Sequence, residues 1–362
     1  MFKSQKQWED FTESEIAAIL PTLQAKGIEL LKTQPHISGE RYLMSGRKIV
    51  LIGRQIDSSK KIIIKTSADK PSLAEIEHER ITRVTLESLP FAYHPLLAPK
   101  ELWSEKIGER VIVAAEYIEQ PVSYLSLPLE QQFDLILQAF TMLEGVHATT
   151  AAHTKSIQNI FGVWRASDYL KSAGDFVAQI SNTDCIKSPE PYQQAIEILC
   201  QSITDVERYC DFLTHDDFAL HNFRFNDNKI YLIDHASLIF GNKHESWARF
   251  MNYMLLYNRD LEQALVKYLN DNTAPEETAS LRLMRIYKAL ELICYHCQAT
   301  NNAEGNLREL SKQRVSFWTE LLKALISDQP LNENIITDYK NNRDSLRSTE
   351  ELARQKELQQ LT

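Results

Sequence analysis

Residues 209–240 read YCDFLTHDDFALHNFRFNDNKIYLIDHASLIF. The stretch contains a short apolar run, a polar loop, a turn at 226–228 and an apolar strand that ends on Asp234. Asp217 and Asn222 lie five residues apart in the polar loop, and the strand can fold back beside that loop. Phosphoryl transfer uses such a set of groups, because one carboxylate meets the acceptor hydroxyl while an amide oxygen and a second carboxylate hold Mg²⁺. The stretch therefore predicts a phosphoryl-transfer site, although Asp and Asn are also ordinary turn formers in a hairpin.

Two segments of this stretch resemble the paired motif of small-molecule kinases. HDDFALHN (215–222) followed by LIDHA (232–236) is similar to the H-x-D-x-x-x-x-N and I-D motifs of the aminoglycoside phosphotransferase and choline kinase group, relatives of the protein kinases. The resemblance implies that Asp217 is the catalytic carboxylate, that Asn222 and Asp234 are the magnesium ligands, and that His215 orders the loop. It also implies ATP and Mg²⁺ as cofactors and a small molecule with a hydroxyl group as the acceptor.

The chain departs from the family pattern at three places. The family usually has glycine where Asp216 stands, an aromatic residue and an acid where His235 and Ala236 stand, and an aspartate near Ser246. These departures leave open a second hypothesis, a catalytically degenerate pseudokinase that binds a nucleotide or a partner. A third hypothesis, phosphorylation of protein, is disfavoured because no D-F-G or A-P-E segment is present.

The segment before the central stretch predicts the nucleotide side of a kinase. β-Branched runs at 41–55 and 60–67, parted by a polar turn at 57–59, indicate a strand hairpin. Within the second run Lys65 directly follows Ile62-Ile63-Ile64, where the family's phosphate-binding lysine belongs. A helix predicted over 72–89 carries three acids that could hold its ammonium group. We favour Glu79 as that partner, with Glu75 and then Glu77 as the alternatives.

The loop over the phosphates and the link between lobes are less distinct in the sequence. No G-x-G-x-x-G run is present, and Ser45 and Gly46 are our candidates for the tip of the phosphate-covering loop. Residues 109–125 predict a buried strand followed by a polar break. This segment resembles the family's hinge, and the resemblance implies that backbone groups of Glu116 and Ile118 contact the adenine.

The pattern as a whole predicts an α+β, two-lobed protein kinase-like fold, with a small N-terminal β-sheet lobe and a larger, mostly helical C-terminal lobe. We expect a helical extension over 1–35, with Pro21 opening a second helical segment because proline bars continuation of the first. The N-lobe is expected over 36–118 and the C-lobe over 119–330, where apolar residues recur at helical spacing. A polar tail at 331–362 is expected to be helical or mobile, with a capping box at Ser348 and Glu351.

Composition excludes several classes of protein. The formal net charge of −9 over 362 residues argues against a nucleic-acid partner, because duplex binding needs a basic surface. No apolar run approaches the length that spans a bilayer, and the N-terminus lacks the apolar core of a signal peptide. Five cysteines without a regular framework are typical of free thiols in a reducing compartment, so we expect a cytoplasmic protein. Cys294, His296 and Cys297 do not predict a zinc site, since a structural zinc takes four ligands.

Acidic residues are concentrated between 119 and 214, a segment with twelve acids, five bases and a net charge of −7. In the resembled family this part of the chain helps to build the acceptor side. An acidic acceptor side would attract a cationic substrate such as an amine or amino-sugar. The alternative is that these acids lie on solvated helix faces.

Overall fold

The computed structural model describes residues 4–39, 46–88, 97–145, 158–186, 188–226 and 229–361. The first lobe is a five-stranded antiparallel sheet with strand order β1-β2-β3-β5-β4. Its strands are β1 (Ile28–Leu30), β2 (Ile49–Gln55), β3 (Lys61–Ser67), β4 (Glu101–Ile107) and β5 (Arg110–Glu116), and its helices are α1 (Gln5–Ala25) and α2 (Lys70–Ser88). The predicted hairpin and the helix after it are confirmed, whereas β4 was missed by the sequence analysis.

Alternation along the strands gives this sheet two different faces. On β3, Ile62 and Ile64 are buried in the core that the sheet forms with α1, together with Trp8, Ile19 and Leu23 of that helix. Ile63 and Lys65 point to the opposite face, because successive side chains of a strand alternate. One face therefore holds the lobe together, and the other is left for the cleft between lobes.

The N-terminal segment differs from the helical extension that we predicted. Pro21 lies inside a single helix, and residues 28–30 form strand β1 rather than a second helical segment. Pro21 and Ala17, whose carbonyl loses its partner to the proline, are both exposed, so water solvates the unpaired oxygen. After the helix, Gly27 adopts φ 65° and turns the chain into the sheet.

Helix α1 is part of the lobe's core. The Trp8 indole is buried and its Nε1 donates a hydrogen bond to the Ile37 carbonyl at 2.6 Å. Glu15 accepts from both terminal nitrogens of Arg110 on β5, one of them at 2.8 Å. These contacts tie the first helix to strand β5 and to the segment after β1.

The second lobe is mostly helical, as predicted. Its helices are α3 (Leu129–Gly145), α4 (Ala166–Ser181), α5 (Glu190–Gln201), α6 (Ile203–Glu207), α7 (His244–Tyr257), α8 (Arg259–Asn272), α9 (Pro275–Asn302), α10 (Gly305–Ile326), α11 (Glu333–Leu346) and α12 (Thr349–Leu361). Four short strands form two antiparallel pairs: β6 (Phe212–His215) with β9 (Leu238–Gly241), and β7 (Phe223–Asn226) with β8 (Lys229–Leu232). The two residues at the tip of the β7–β8 hairpin, 227 and 228, lie outside the described residues.

Aromatic side chains fill the core beneath the central stretch. Phe218 and Phe223 stack with their ring centroids 5.0 Å apart, and Phe250 of α7 packs against both. Phe140 of α3 stacks on Trp247 of α7 with centroids 3.8 Å apart. This packing anchors the polar loop from below and leaves its polar side chains on the side of the cleft.

The C-terminal tail folds back onto the body of the protein as helices α11 and α12. Tyr339 is buried and stacks on Phe317 of α10, with centroids 4.4 Å apart. The predicted N-terminal cap is present, since the Glu351 amide donates to Ser348 Oγ at 3.1 Å. Glu350 accepts a hydrogen bond from the Gly39 amide at 3.4 Å, so the tail also reaches the N-terminal lobe.

Across the part of the chain that the structure describes, no helix combines the length and apolarity needed to cross a membrane.

Candidate active site

Backbone hydrogen bonds bring the two motif segments together. His215 on β6 pairs with Leu238 on β9, and the Asp216 amide donates to the Ser237 carbonyl at 3.0 Å. The Ile233 amide donates to the Asn222 carbonyl at 2.8 Å. Strand β8 ends at Leu232, so the metal-ligand candidate follows the strand by two residues instead of ending it. The hydrogen bond from Ile233 to Asn222 places the next residue, Asp234, beside the loop.

The predicted catalytic carboxylate and the two predicted metal ligands all line one cavity of about 800 Å³ between the lobes: Asp217, Asn222 and Asp234. Asn222 Nδ2 donates to the Asp217 carbonyl at 2.8 Å and to Asp217 Oδ2 at 3.1 Å. The amide oxygen of Asn222 is therefore the atom suited to a ligand. Asp234 Oδ1 accepts from the Ala236 amide at 3.3 Å, so the short helical turn after it fixes the carboxylate.

The carboxylate of Asp217 is held by a cation that the sequence analysis missed. Arg249 on α7 donates to Asp217 Oδ1 through Nε at 2.7 Å, and its Nη2 lies 2.6 Å from the same oxygen. His221 Nε2 lies 3.3 Å from Oδ2. Burial opposes ionisation, but the charges of Arg249 and His221 outweigh it and hold the pKa of Asp217 well below its usual value. Asp217 is thus a fixed carboxylate at every ordinary pH.

His215 lies in the first motif segment and contacts the backbone of the second. Its ring is fully buried, and Nε2 lies 2.7 Å from the Asp234 carbonyl oxygen. Its backbone amide donates to Ser246 Oγ at 2.8 Å. Ser246 replaces the family's aspartate and still anchors the backbone of the loop. This departure therefore leaves the loop supported.

The departure at Asp216 is matched by a buried lysine on α9. The positive charge of Lys288 acts on Asp216, whose pKa is raised by burial. Lys288 Nζ also lies 3.4 Å from Glu245 Oε1 and 2.5 Å from Glu291 Oε2. An aspartate in place of glycine is compatible with the loop because the positive charge of Lys288 in this network acts on the aspartate.

On the N-terminal lobe the predicted lysine–glutamate pair is formed. Lys65 Nζ contacts the two carboxylate oxygens of Glu79 at 2.5 and 2.7 Å, and both side chains line the cavity. The two alternative acids have other partners, since Glu75 contacts Lys48 and Glu77 contacts Arg80.

Lys48 is a second cation that the sequence analysis missed. It lines the cavity beside Val50, and Val50 pairs with Lys65 across β2 and β3. Burial opposes ionisation of Asp234, yet the charges of Lys65 and Lys48 lower the pKa of that carboxyl. The alternation of Lys48 and Val50 before an apolar strand was the available sequence signal.

The remaining nucleotide-side candidates differ in their placement. Glu116 and Ile118 line the cavity. The Glu116 amide donates to the Lys100 carbonyl at 2.9 Å, so a contact from this residue to an adenine would use its carbonyl. Gly46 does not line the cavity, and a Cβ placed on it would lie 3.9 Å from Ser72 Oγ. Ser45 lies outside the described residues.

The donor set fits magnesium bound together with a nucleotide. Within the described ranges, no three His, Cys, Asp or Glu side chains converge as a metal cluster, and this includes Cys294, His296 and Cys297. The amide oxygen of Asn222 and the carboxylate of Asp234 supply two oxygen ligands. Mg²⁺ is commonly held by one or two protein oxygens together with phosphate oxygens and water.

The lining of the cavity is basic. Among the residues that the structure describes, eleven Lys or Arg and seven Asp or Glu line it, whereas the whole chain has a net charge of −9. None of the twelve acids between 119 and 214 is part of this lining. We predicted a cationic acceptor from these acids, but they do not contribute to the cavity.

Comparison with known proteins gives different results for sequence and for structure. No protein-family model matches the chain, and no curated protein matches it by sequence. Solved structures do match: the GDP and kanamycin complex of APH(2")-IIia aligns with a TM-score of 0.58 and 11% identity over 88% of this chain and 98% of that one. A thermostable mutant of aminoglycoside phosphotransferase APH(4)-Ia aligns with a TM-score of 0.57 and 15% identity, over 78% of this chain and 92% of that one.

The chain has the fold of the antibiotic phosphotransferases. Macrolide 2'-phosphotransferase type I, with a TM-score of 0.56 and 11% identity, covers 83% of this chain and 97% of its own. The predicted protein kinase-like fold is thereby confirmed, and so is the resemblance on which it was based. The aminoglycoside phosphotransferase-like fold accounts for a sheet lobe above the cavity and a helical lobe below it.

Proposed function

We propose that this protein is a small-molecule kinase that transfers the γ-phosphoryl group of ATP to a hydroxyl group in the presence of Mg²⁺. The observation that carries the proposal is the convergence of Asp217, Asn222 and Asp234 on the cavity that the Lys65–Glu79 pair also lines. Structures of the same fold include a thermostable APH(4)-Ia mutant with ADP and hygromycin B. The nucleotide complexes of these structures support nucleotide binding by this protein.

Each residue has a defined role in the proposed reaction. Asp217 accepts a hydrogen bond from the acceptor hydroxyl and directs its oxygen at the γ-phosphorus. Lys65, held by Glu79, contacts the α- and β-phosphates. Asn222 and Asp234 would hold Mg²⁺, which would neutralise phosphate charge during the transfer. Positioning and charge neutralisation carry most of the rate, because phosphoryl transfer passes through a loose transition state.

Asp217 acts in this scheme by orientation. A carboxylate with a lowered pKa is a weak base, so it removes little of the hydroxyl proton before the P–O bond to ADP is mostly broken. The proton passes to Asp217 or to the phosphate as the new ester forms. His215 contributes by fixing the carbonyl of Asp234 and the backbone of the loop.

The pseudokinase alternative is less well supported. Its basis was the departures from the family pattern, but Ser246 hydrogen-bonds the loop backbone and the charge of Lys288 acts on Asp216. His235 is buried, and its carbonyl accepts a hydrogen bond from Thr82 of α2 at 3.2 Å. It thus links the loop after Asp234 to the helix that carries Glu79. A protein that only binds a partner has no need of this coupling.

We also propose the boundaries of the two lobes and the cellular compartment. We retain 36–118 as the nucleotide-covering lobe and 119–330 as the catalytic and acceptor lobe, and we add helix α1 to the first of them. All five cysteines are free thiols, which suits the cytoplasm.

Turnover of nucleotide by the wild-type protein and by Asp217→Asn tests the proposal. With Mg²⁺ and either ATP or GTP, we expect slow release of ADP or GDP that Asp217→Asn reduces by about 10²- to 10⁴-fold. Nucleotide affinity should stay unchanged and the variant should stay folded, but its melting temperature should fall because the buried Arg249 loses its charged partner. Asp260→Asn, an exposed aspartate on α8, is the matched control. Equal turnover by Asp217→Asn and wild-type protein would remove Asp217 from its role, and binding without any turnover would favour the pseudokinase.

A further inference from the structure

The end of the cavity beyond Asp217 is built from arginines. Arg249 comes from α7, Arg314 from α10, and Arg343 and Arg347 from the C-terminal tail, and all four line the cavity. Tyr253, Tyr257 and Tyr339 line the same end. The Arg249 guanidinium stacks on the Tyr253 ring, 4.4 Å from its centroid. Three separate helices thus bring cationic and aromatic groups to the place where an acceptor would lie.

Three polar nitrogens at this end have no hydrogen-bond partner among the described residues. They are two arginine donors, Arg249 Nη1 and Arg347 Nε, and one ring nitrogen, His296 Nδ1, and all three are buried. Arg249 as a whole is 9% exposed, and its other two nitrogens are taken by Asp217. Buried polar groups in folded proteins are normally satisfied, so unpaired donors on a cavity wall indicate that a ligand supplies the acceptor atoms.

The arginines also repel one another. Burial and the nearby charges of Arg343 and Arg314 lower the pKa of Arg347. Asp344 contacts Arg343 Nε at 2.8 Å, but it lies 3.9 Å from Arg347 and its side chain is half exposed. An exposed carboxylate at that distance offsets little of the repulsion. An anion between Arg347 and Arg314 would offset more of it.

Two of the acids at this end, Glu351 and Glu291, are already paired. Glu351 is almost completely buried and holds Arg354 through two hydrogen bonds of 2.8 and 2.6 Å. Glu291 lies 2.5 Å from Lys288 Nζ. A cationic acceptor would have to displace a buried lysine or arginine to reach either carboxylate.

We propose that the acceptor is a hydroxyl compound that carries an oxyanion, a phosphate or a carboxylate, held by Arg249, Arg314 and Arg347. Its remaining body packs against the tyrosines. Arg249 contacts Asp217 through Nε and Nη2 and has Nη1 left for the anion, so one guanidinium connects the anion with the catalytic carboxylate. The hydroxyl that is phosphorylated therefore lies a few bonds from the anionic group. The phosphorylation step itself rests on the proposed function, whereas the anion site does not.

Calorimetry with the full chain tests the site without turnover. The protein is saturated with MgADP, so that the nucleotide site is filled, and is titrated with glucose 6-phosphate, glucuronate and glucosamine. These probes share a sugar body and differ in charge. We expect glucose 6-phosphate or glucuronate to bind at least about tenfold more tightly than glucosamine, and the affinity to fall with added salt.

Variants assign the binding to the arginine cluster. Arg347→Gln and Arg314→Gln should weaken binding of the anionic probe about tenfold or more, and Arg347→Lys should weaken it less. Arg308→Gln is the matched control, since Arg308 is an exposed arginine on the same helix as Arg314. Melting temperatures verify that each variant is folded.

Three results would overturn the inference: preferential binding of glucosamine, anion binding that the two Gln variants leave unchanged, or no binding of either anionic probe. If MgADP does not bind at all, the proposed function fails. The same titrations on nucleotide-free protein then decide the anion site, because dependence on Arg347 separates it from the phosphate-binding end of the cavity.

Discussion

Two nitrogens of Arg249 converge on a single oxygen of Asp217, with Nε at 2.7 Å and Nη2 at 2.6 Å from Oδ1. The other carboxylate oxygen accepts from Asn222 at 3.1 Å. This arrangement fixes the direction of the carboxylate and keeps it ionised. In the proposed reaction an acceptor hydroxyl would meet a group that is already oriented, which is how enzymes lower the entropic part of a barrier.

Replacing Arg249 should change the pH dependence of turnover. In the wild-type protein the ion pair keeps Asp217 charged down to well below pH 3.8, so its titration does not limit kcat/KM at higher pH. In Arg249→Gln burial dominates, the pKa of Asp217 rises, and the acidic limb of the profile moves to higher pH. Arg249→Lys should restore part of the difference. Superimposable profiles for wild type and Arg249→Gln would contradict the assignment.

The Lys65–Glu79 pair should act mainly on nucleotide binding. Glu79 is buried and meets Lys65 with both oxygens, so Glu79→Gln leaves the ammonium poorly placed for the phosphates. Charge-assisted hydrogen bonds contribute about 1.5–3 kcal/mol, so we expect the KM for ATP to rise about 10- to 100-fold in Lys65→Met. Lys48→Met should show a smaller rise, because Lys48 acts on Asp234 at longer range.

Initial-rate kinetics over a range of ATP concentrations measure this effect. Lys106→Met, an exposed lysine on β4, serves as the control of equal charge change. A KM for ATP that stays within error of the wild-type value in Lys65→Met would place the phosphates elsewhere.

Glu245 should make the stability of the protein depend on pH. It is buried on α7, where Tyr169 donates to it at 2.6 Å, and burial raises its pKa to about 7. Because the folded-state pKa is raised, the stability it contributes is fully present below pH 4.5 and is lost as pH rises to about 7. The lost free energy of unfolding should be roughly 1 to 3 kcal/mol.

Urea unfolding of wild type and Glu245→Gln at pH 5 and pH 8 measures this term. The variant cannot ionise, so the difference between its two unfolding free energies should be smaller than in the wild type. Equal pH differences in the two proteins would show that Glu245 keeps an ordinary pKa.

The residues of the candidate site that are close together in the sequence were predicted. The residues that come from distant parts of the sequence were missed. Asp217, Asn222 and Asp234 come from one hairpin-sized stretch, so their spacing carried the information. Lys65 and Glu79 were also found, because a strand and the next helix have a fixed relation. The prediction that Pro21 opens a second helical segment was wrong, because solvent can compensate for the hydrogen bond lost at this residue.

The acceptor end could not be predicted in this way. Its arginines come from α7, α10 and the tail, and only the tertiary packing of these helices brings them together. A regular spacing of four residues in the tail, at Tyr339, Arg343, Arg347 and Glu351, was the one visible signal. The acids between 119 and 214 were counted without knowledge of which way they face, and none of them reaches the cavity.

Calorimetric titration of ATP with and without Mg²⁺, in wild-type protein and in Asp234→Asn, tests the central claim most directly. In the proposed function Asp234 and Asn222 bind the metal together with the phosphates, so Mg²⁺ should tighten ATP binding at least about tenfold in the wild type. Asp234→Asn should lose that increment and keep the metal-free affinity. Equal ATP affinity with and without Mg²⁺ in the wild type, or an undiminished increment in Asp234→Asn, would contradict the account.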